Sequence, residues 1–165
     1  PGPWRTKGGD KSEGNIIDEE YKEGIYVGYR WADRKKQRPV FAFGHGLSYT
    51  QFAISNLRAD KALMTAADSI TFTVQVKNIG QRAGSETVQL YVHDAKASVD
   101  RPLKELKGFC KVSLQPGESK DVSITLGKDA LSFYDETTAS WKAEPGQFEA
   151  WVGNASDNLK LRKSF

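Results

Sequence analysis

Cysteine is almost absent from this sequence. Cys110 stands alone among 165 residues, which excludes an intrachain disulfide and any multi-cysteine metal site. Histidine is scarce too. His45 and His93 lie far apart with no ligand spacing around either, so neither zinc nor any other cofactor is expected. No apolar run approaches the roughly 20 residues of a membrane span, and no membrane partner is expected. No signal peptide follows Pro1, and a proline start reads as a processed or excised piece. An excess of one charge is also missing. The 24 basic residues face 21 acidic ones, for a net charge of +3 spread along the chain. Arg30, Arg34, Lys35, Lys36 and Arg38 come nearest to a basic face, and they read as a solvated turn rather than a nucleic-acid surface.

What is present divides in two. Pro1 to Asp18 holds Gly2, Gly8, Gly9 and Gly14 among charges and reads as loop. In Glu19 to Arg30, Ile25, Val27 and Tyr29 share one face of an expected strand, and no helix of useful length is expected. The stretch Phe41-Ala42-Phe43-Gly44-His45-Gly46-Leu47-Ser48-Tyr49-Thr50 then forms a hinge. Its glycines permit sharp or left-handed turns, and its aromatics can pin it to whatever lies beneath.

From Gln51 onward apolar and polar residues alternate. Phe52, Ile54 and Leu57 mark a strand with an irregularity before Leu57. Ile70, Phe72, Val74 and Val76 face one way, with Thr71, Thr73, Gln75 and Lys77 opposite. Val88, Leu90 and Val92 repeat the pattern, followed by Gly108, Cys110, Val112 and Leu114, then Val122, Ile124 and Leu126. A bend or short helical turn is expected over Asp129 to Tyr134. Asp135 to Thr138 turns the chain toward Trp141. Phe148, Ala150 and Val152 form another strand, and Leu159, Leu161 and Phe165 the last. Gln115-Pro116-Gly117-Glu118 and Pro145-Gly146 are turns, because proline presets φ and glycine supplies positive φ. About seven short strands without helical periodicity argue for an all-β protein: an antiparallel β-sandwich of immunoglobulin or fibronectin type III kind, with an irregular N-terminal leader.

The motifs carry a resemblance as well. Glu23-Gly24-Ile25-Tyr26-Val27-Gly28-Tyr29-Arg30, Pro39 and the Phe-Gly-His-Gly-Leu-Ser-Tyr-Thr hinge resemble the C-terminal region of glycoside hydrolase family 3. So do Arg101-Pro102-Leu103-Lys104-Glu105-Leu106-Lys107-Gly108-Phe109, Leu131-Ser132-Phe133-Tyr134-Asp135 and Glu144-Pro145-Gly146. That family includes β-glucosidases and β-xylosidases, and many members end in a fibronectin type III-like domain. The resemblance implies that residues 21–41 close the α/β domain of a parent enzyme. The hinge divides the chain into a leader and hinge over 1–47 and a fibronectin type III-like domain over 48–165, whose dozen or more inward positions are expected to let it fold alone.

Catalysis is not expected of this chain. The family's retaining members work with two carboxylates, and its nucleophile is an aspartate in a Ser-Asp-Trp context on a barrel of about 250 residues. The nearest string, Ser156-Asp157-Asn158, departs at the tryptophan and lies in a late turn. Glu105, Glu118, Asp121 and Asp135 sit beside turns or on polar faces. Four residues are candidates for contact with sugar or a neighbouring domain: Trp151 and Tyr91, out of phase with the inward residues, and His45 and Trp31 in the hinge and leader. Trp151 and Tyr91 either cover the sandwich or contact the leader, or they form an exposed sugar-binding strip; His45 otherwise reads as a hinge residue hydrogen-bonded to backbone, and Trp31 as packed on a domain surface. Cys110 reads as a small core residue. Asn154-Ala155-Ser156 fits the glycosylation pattern, which matters only in a eukaryotic secretory host.

The expected role is a non-catalytic accessory domain bracing the catalytic domains of a family 3 β-glycosidase. The alternatives are a carbohydrate-binding module and a protein-interaction sandwich. The expected partners are those catalytic domains, a β-linked oligosaccharide, and a second copy of the chain paired through the leader strand. A periplasmic or secreted location follows from the resemblance.

Overall fold

The computed structural model describes residues 22–65 and 67–165. The loop expected over Pro1 to Asp18, with Trp4, lies outside them. Nine strands occur among the described residues. They are β1 (Phe52–Ala59), β2 (Ser69–Asn78), β3 (Gly84–Asp94), β4 (Glu105–Leu114), β5 (Ser119–Gly127), β6 (Phe133–Asp135), β7 (Ser140–Lys142), β8 (Phe148–Gly153) and β9 (Leu161–Ser164). One sheet has the order β1-β2-β5 and the other β4-β3-β8-β9, with all pairs antiparallel. β6 and β7 form a separate hairpin.

The alternation builds the core. β2 turns Ile70, Phe72, Val74 and Val76 inward, and β5 adds Val122, Ile124 and Leu126. The facing sheet supplies Val88, Leu90 and Val92 from β3 and Phe148, Ala150 and Val152 from β8. Phe165 closes one end. Its ring lies 5.1 Å from that of Phe72, and its backbone exchanges two hydrogen bonds with Phe148. Among the described residues none before Phe52 belongs to this cluster. The irregularity expected before Leu57 is a register shift between Ser55 and Arg58, with Asn56 at φ 56°.

The leader departs from expectation. No strand forms through Ile25, Val27 and Tyr29. Residues 22–25 turn, and Tyr29–Lys35 is a helix, α1. Gly28, at φ 64°, breaks the extended run just before Tyr29. Lys36 ends the helix in the left-handed region, where its N–H and that of Gln37 donate to the Asp33 and Ala32 carbonyls. Ile25 and Val27 stay exposed while Tyr26 is buried, the reverse of the expected strand face. Three alternating residues are too few to separate a strand from a turn leading into a helix. A helix of seven residues is held by what it docks against rather than by its own propensity. The other departures are smaller. A short helical turn does form, at Lys128–Ala130, but Phe133 to Asp135 is a strand, and Leu159 precedes the last strand.

Truncating the ring at the centre of this core leaves a cavity. Phe72→Ala is expected to destabilise the domain by about 3–5 kcal/mol, read from the denaturation midpoint in urea. A loss well under 1 kcal/mol would contradict the packing described.

Candidate interdomain surface

The outer face of β3 and β8 carries Gln89, Tyr91, His93 and Trp151, and the leader lies across it. Tyr91 is fully buried. The Tyr29 ring meets it edge-on at 5.5 Å, and Phe43 lies 5.8 Å from Tyr29 on another side. The Tyr91 hydroxyl donates to Gln89 Oε1 at 2.6 Å. Burial, with Tyr29 and Asp33 close by, pushes its phenol well above the ordinary value.

Tyr29 also repairs a break in the sheet. The pairing of β3 with β4 slips between Leu90 and Tyr91, so Lys107 is an extra residue on β4. Beside this bulge the Leu106 N–H donates to Tyr29 Oη at 2.8 Å.

Charge holds the rest of the leader. Lys104 is buried, and its ammonium donates to Asp33 on α1. Arg101 is equally enclosed and donates to Asp94, Glu105 and the Leu131 carbonyl. Glu105 also takes Lys107 at 2.7 Å and Arg30 at 3.8 Å. Asp100 accepts from the Tyr26 hydroxyl at 2.6 Å and from Arg34 at 2.9 Å, and these bonds hold its carboxyl below the ordinary value.

The hinge is clamped at both ends. At Gly44, φ is 86° and a Cβ would stand 2.0 Å from Gln89 Nε2, so glycine is required there. Next to it the Phe43 carbonyl accepts the Ser156 N–H. At the far end Thr50 Oγ1 donates to Oδ1 of Asn78, which is fully buried. That oxygen also takes the Gly80 N–H, and Asn78 Nδ2 donates to the Arg82 and Leu114 carbonyls. Every hydrogen-bonding group of this amide is therefore used, as burial demands.

Between and beside the clamps, apolar side chains point into solvent. Val40 is 92% exposed, Leu47 95% and Tyr49 91%, with Phe41 and Phe43 more than half exposed. An apolar band of this kind on a fixed backbone marks an interaction surface.

The four candidate residues divide between two places. Tyr91 and Trp151 are cross-strand partners. Trp151 is buried, with the Arg162 guanidinium 3.9 Å from one ring face, His93 5.0 Å away, and its Nε1–H donating to Glu149. His45 is exposed beside Phe41. Trp31 is partly exposed under the Lys35 ammonium. Among the described residues no ring contact joins His45 or Trp31 to the other pair. Tyr29, Asp33, Lys104 and Asn78 were not legible as a set. Their only signal is polar or aromatic side chains at positions where the chain must turn or bulge.

Acid–base chemistry finds little here. Among the described residues, the carboxyls with shifted titration are all held low. Hydroxyl hydrogen bonds from Thr65, Thr137 and Ser98 do this for Asp68, Asp135 and Glu144, and the Gln115 N–H does it for Glu118. A glycosidase acid needs the opposite shift. Among the described residues no cluster of three or more His, Cys, Asp or Glu is placed to hold a metal. No described helix is long and apolar enough to cross a membrane. Asn154 Nδ2, the atom a glycan would occupy, is committed to Glu86 Oε2 at 3.0 Å.

At Glu105, burial pushes the carboxyl up, but Lys107 and then Arg101 outweigh it and leave it below its ordinary value. Its contribution is therefore complete above the unfolded value of about 4.3 and is lost as pH falls through the folded value. Glu105→Gln is expected to cost about 1.5–3 kcal/mol at neutral pH and to flatten the acid limb of the stability profile. Parallel acid limbs for the variant and the parent chain would contradict the assigned pairing.

Comparison with known proteins follows the same lines. Residues 86–156 match the Fn3-like family, described as a fibronectin type III-like domain. The chain is 50% identical over 145 residues to thermostable β-glucosidase B of Acetivibrio thermocellus, covering 88% of this chain and 19% of that one. It is 47% identical over 152 residues to β-glucosidase BoGH3A of Bacteroides ovatus, covering 92% and 20%. The GH3 β-glucosidase structure from Bifidobacterium adolescentis superposes with a TM-score of 0.82 at 37% identity, over 94% of this chain and 23% of that one. The chain thus spans only a small part of these relatives, and it belongs to the fibronectin type III-like C-terminal domains of the glycoside hydrolase family 3 enzymes.

Proposed function

We propose that this chain is a non-catalytic accessory domain that braces the catalytic domains of a family 3 β-glycosidase. Its relatives are β-glucosidases several times its length. The activity proposed for the parent is hydrolysis of β-linked glucosides or xylosides. The observation that carries the reading is the clamped apolar band over Val40 to Tyr49. Side chains this exposed are costly in water, and two clamps hold them in place. A preceding domain seated on the band removes that cost. We place the domain boundary at Leu47 and Ser48, with the leader and hinge as the joint and the sandwich as the body.

Two finer contacts belong to this proposal. A β-linked oligosaccharide bound in the parent's cleft reaches this domain at its rim. When the band is uncovered, two copies of the chain meet through it. The leader strand first expected to do this is absent, so the band takes its place.

The test is complementation. The chain is added in trans to thermostable β-glucosidase B shortened by the matching segment. The thermal midpoint of the shortened enzyme is expected to rise by several degrees, and the rise is expected to vanish with Phe41→Asp and Leu47→Asp together. Sedimentation equilibrium of the chain alone reads the self-association, which the same pair of substitutions should abolish. Absence of any effect on the shortened enzyme, with the chain folded, would contradict the bracing role.

A further inference from the structure

The hairpin of β6 and β7 lies outside both sheets and carries the most exposed tryptophan among the described residues. Tyr134 and Trp141 are direct cross-strand partners, so both rings stand on one side of it. Their centroids are 5.7 Å apart with an interplanar angle of 74°. Trp141 is 69% exposed and Tyr134 50%. The turn that joins the strands is braced. Asp135 Oδ1 accepts from both the N–H and the hydroxyl of Thr137, and the Thr138 and Ser140 hydroxyls share a bond. On the other side of the hairpin, Arg101 stands 5.7 Å from the Phe133 ring. The two rings are thus presented on a fixed backbone.

Just beyond Trp141 the chain enters a cleft. Ala143, Glu144 and Pro145 form one wall, and Phe148 and Phe165 contribute apolar floor from the core. The cleft holds about 300 Å³, the lower end of the range for small-ligand sites. Glu144 is fixed there by Ser98 and by Lys142 at 3.6 Å. The hairpin thus offers an aromatic face, while the cleft beyond it, whose lining includes neither ring, is a separate hollow.

We infer that Trp141 and Tyr134 form a surface subsite for a β-linked gluco-oligosaccharide. A β-linked glucopyranose has equatorial hydroxyls around its edge and apolar C–H faces. The faces suit the Trp141 ring, and the hydroxyls suit the Tyr134 phenol. A macromolecular partner fits less well, because two three-residue strands offer far less than the roughly 800 Å² per side of a stable protein interface. The choice of a glucoside rests on the accessory-domain reading. The site itself is separate from the Val40 to Tyr49 band, so failure here leaves the complementation result untouched.

The test is titration of the full chain with cellotetraose, followed by the tryptophan indole N–H resonances and by calorimetry. Saturable binding with a millimolar dissociation constant is expected, with the Trp141 indole signal shifting. Trp141→Ala should weaken binding by about tenfold or more. Tyr134→Phe, which keeps the ring and cannot disturb the hairpin through lost packing, should weaken it less. Phe109→Ala, which removes an exposed ring on β4, should leave it unchanged. No saturable shift near the solubility limit of the sugar would overturn the inference, as would binding that survives Trp141→Ala. A Trp141 signal that moves with protein concentration but not with sugar would identify a chain–chain contact, and would overturn it equally.

Discussion

The leader is held by groups that the sandwich cannot satisfy alone. The bulge at Lys107 leaves the Leu106 N–H beside a break in the ladder, and Tyr29 Oη accepts it. An unpartnered buried N–H costs about 1–3 kcal/mol. Lys104, buried at the start of the same strand, needs a counter-charge, and α1 provides Asp33. Losing one partner of a buried pair costs about 3–5 kcal/mol. The Tyr29 ring then covers Tyr91. One short helix therefore answers three demands of one sheet face, which explains how seven residues with no buried helix face of their own stay helical.

Docking the leader fixes the path of everything after it. The chain must leave α1, cross the sheet at Gly44, where only a hydrogen fits against Gln89, and reach β1 through the buried Asn78 amide. Apolar side chains that cannot turn inward along this path are pushed outward. The exposed band is thus a product of the same constraint that anchors the leader. Among the described residues the core cluster holds none before Phe52, and the leader is joined to the sandwich through polar groups and the Tyr29–Tyr91 ring contact.

Much of the sandwich was legible because it depends on period-two alternation. Ile70 to Val76 and Val88 to Val92 point where the alternation says, and Asn56 bulges where the pattern falters. Alternation assigns a side chain to a face but says nothing of what covers the outer face. Tyr91 and Trp151 are outward as read, yet buried, because Tyr29 of α1 covers one and Arg162 with His93 encloses the other. The leader misled for a related reason. Ile25, Val27 and Tyr29 alternate by chance of spacing, while Gly28 at positive φ decides the backbone. The charged network was invisible, since Asp33 and Lys104 lie far apart in sequence and only the fold brings them together.

The most direct measurement is amide hydrogen exchange at Leu106 in the full chain and in Tyr29→Phe. The substitution removes one oxygen and leaves the ring against Tyr91. If Tyr29 repairs the bulge, Leu106 is protected in the parent chain and loses protection selectively in the variant, while Leu90 and Val92 on β3 keep theirs. Equal protection of Leu106 in both proteins would contradict the account, because the leader would then be held by something other than the break in the sheet.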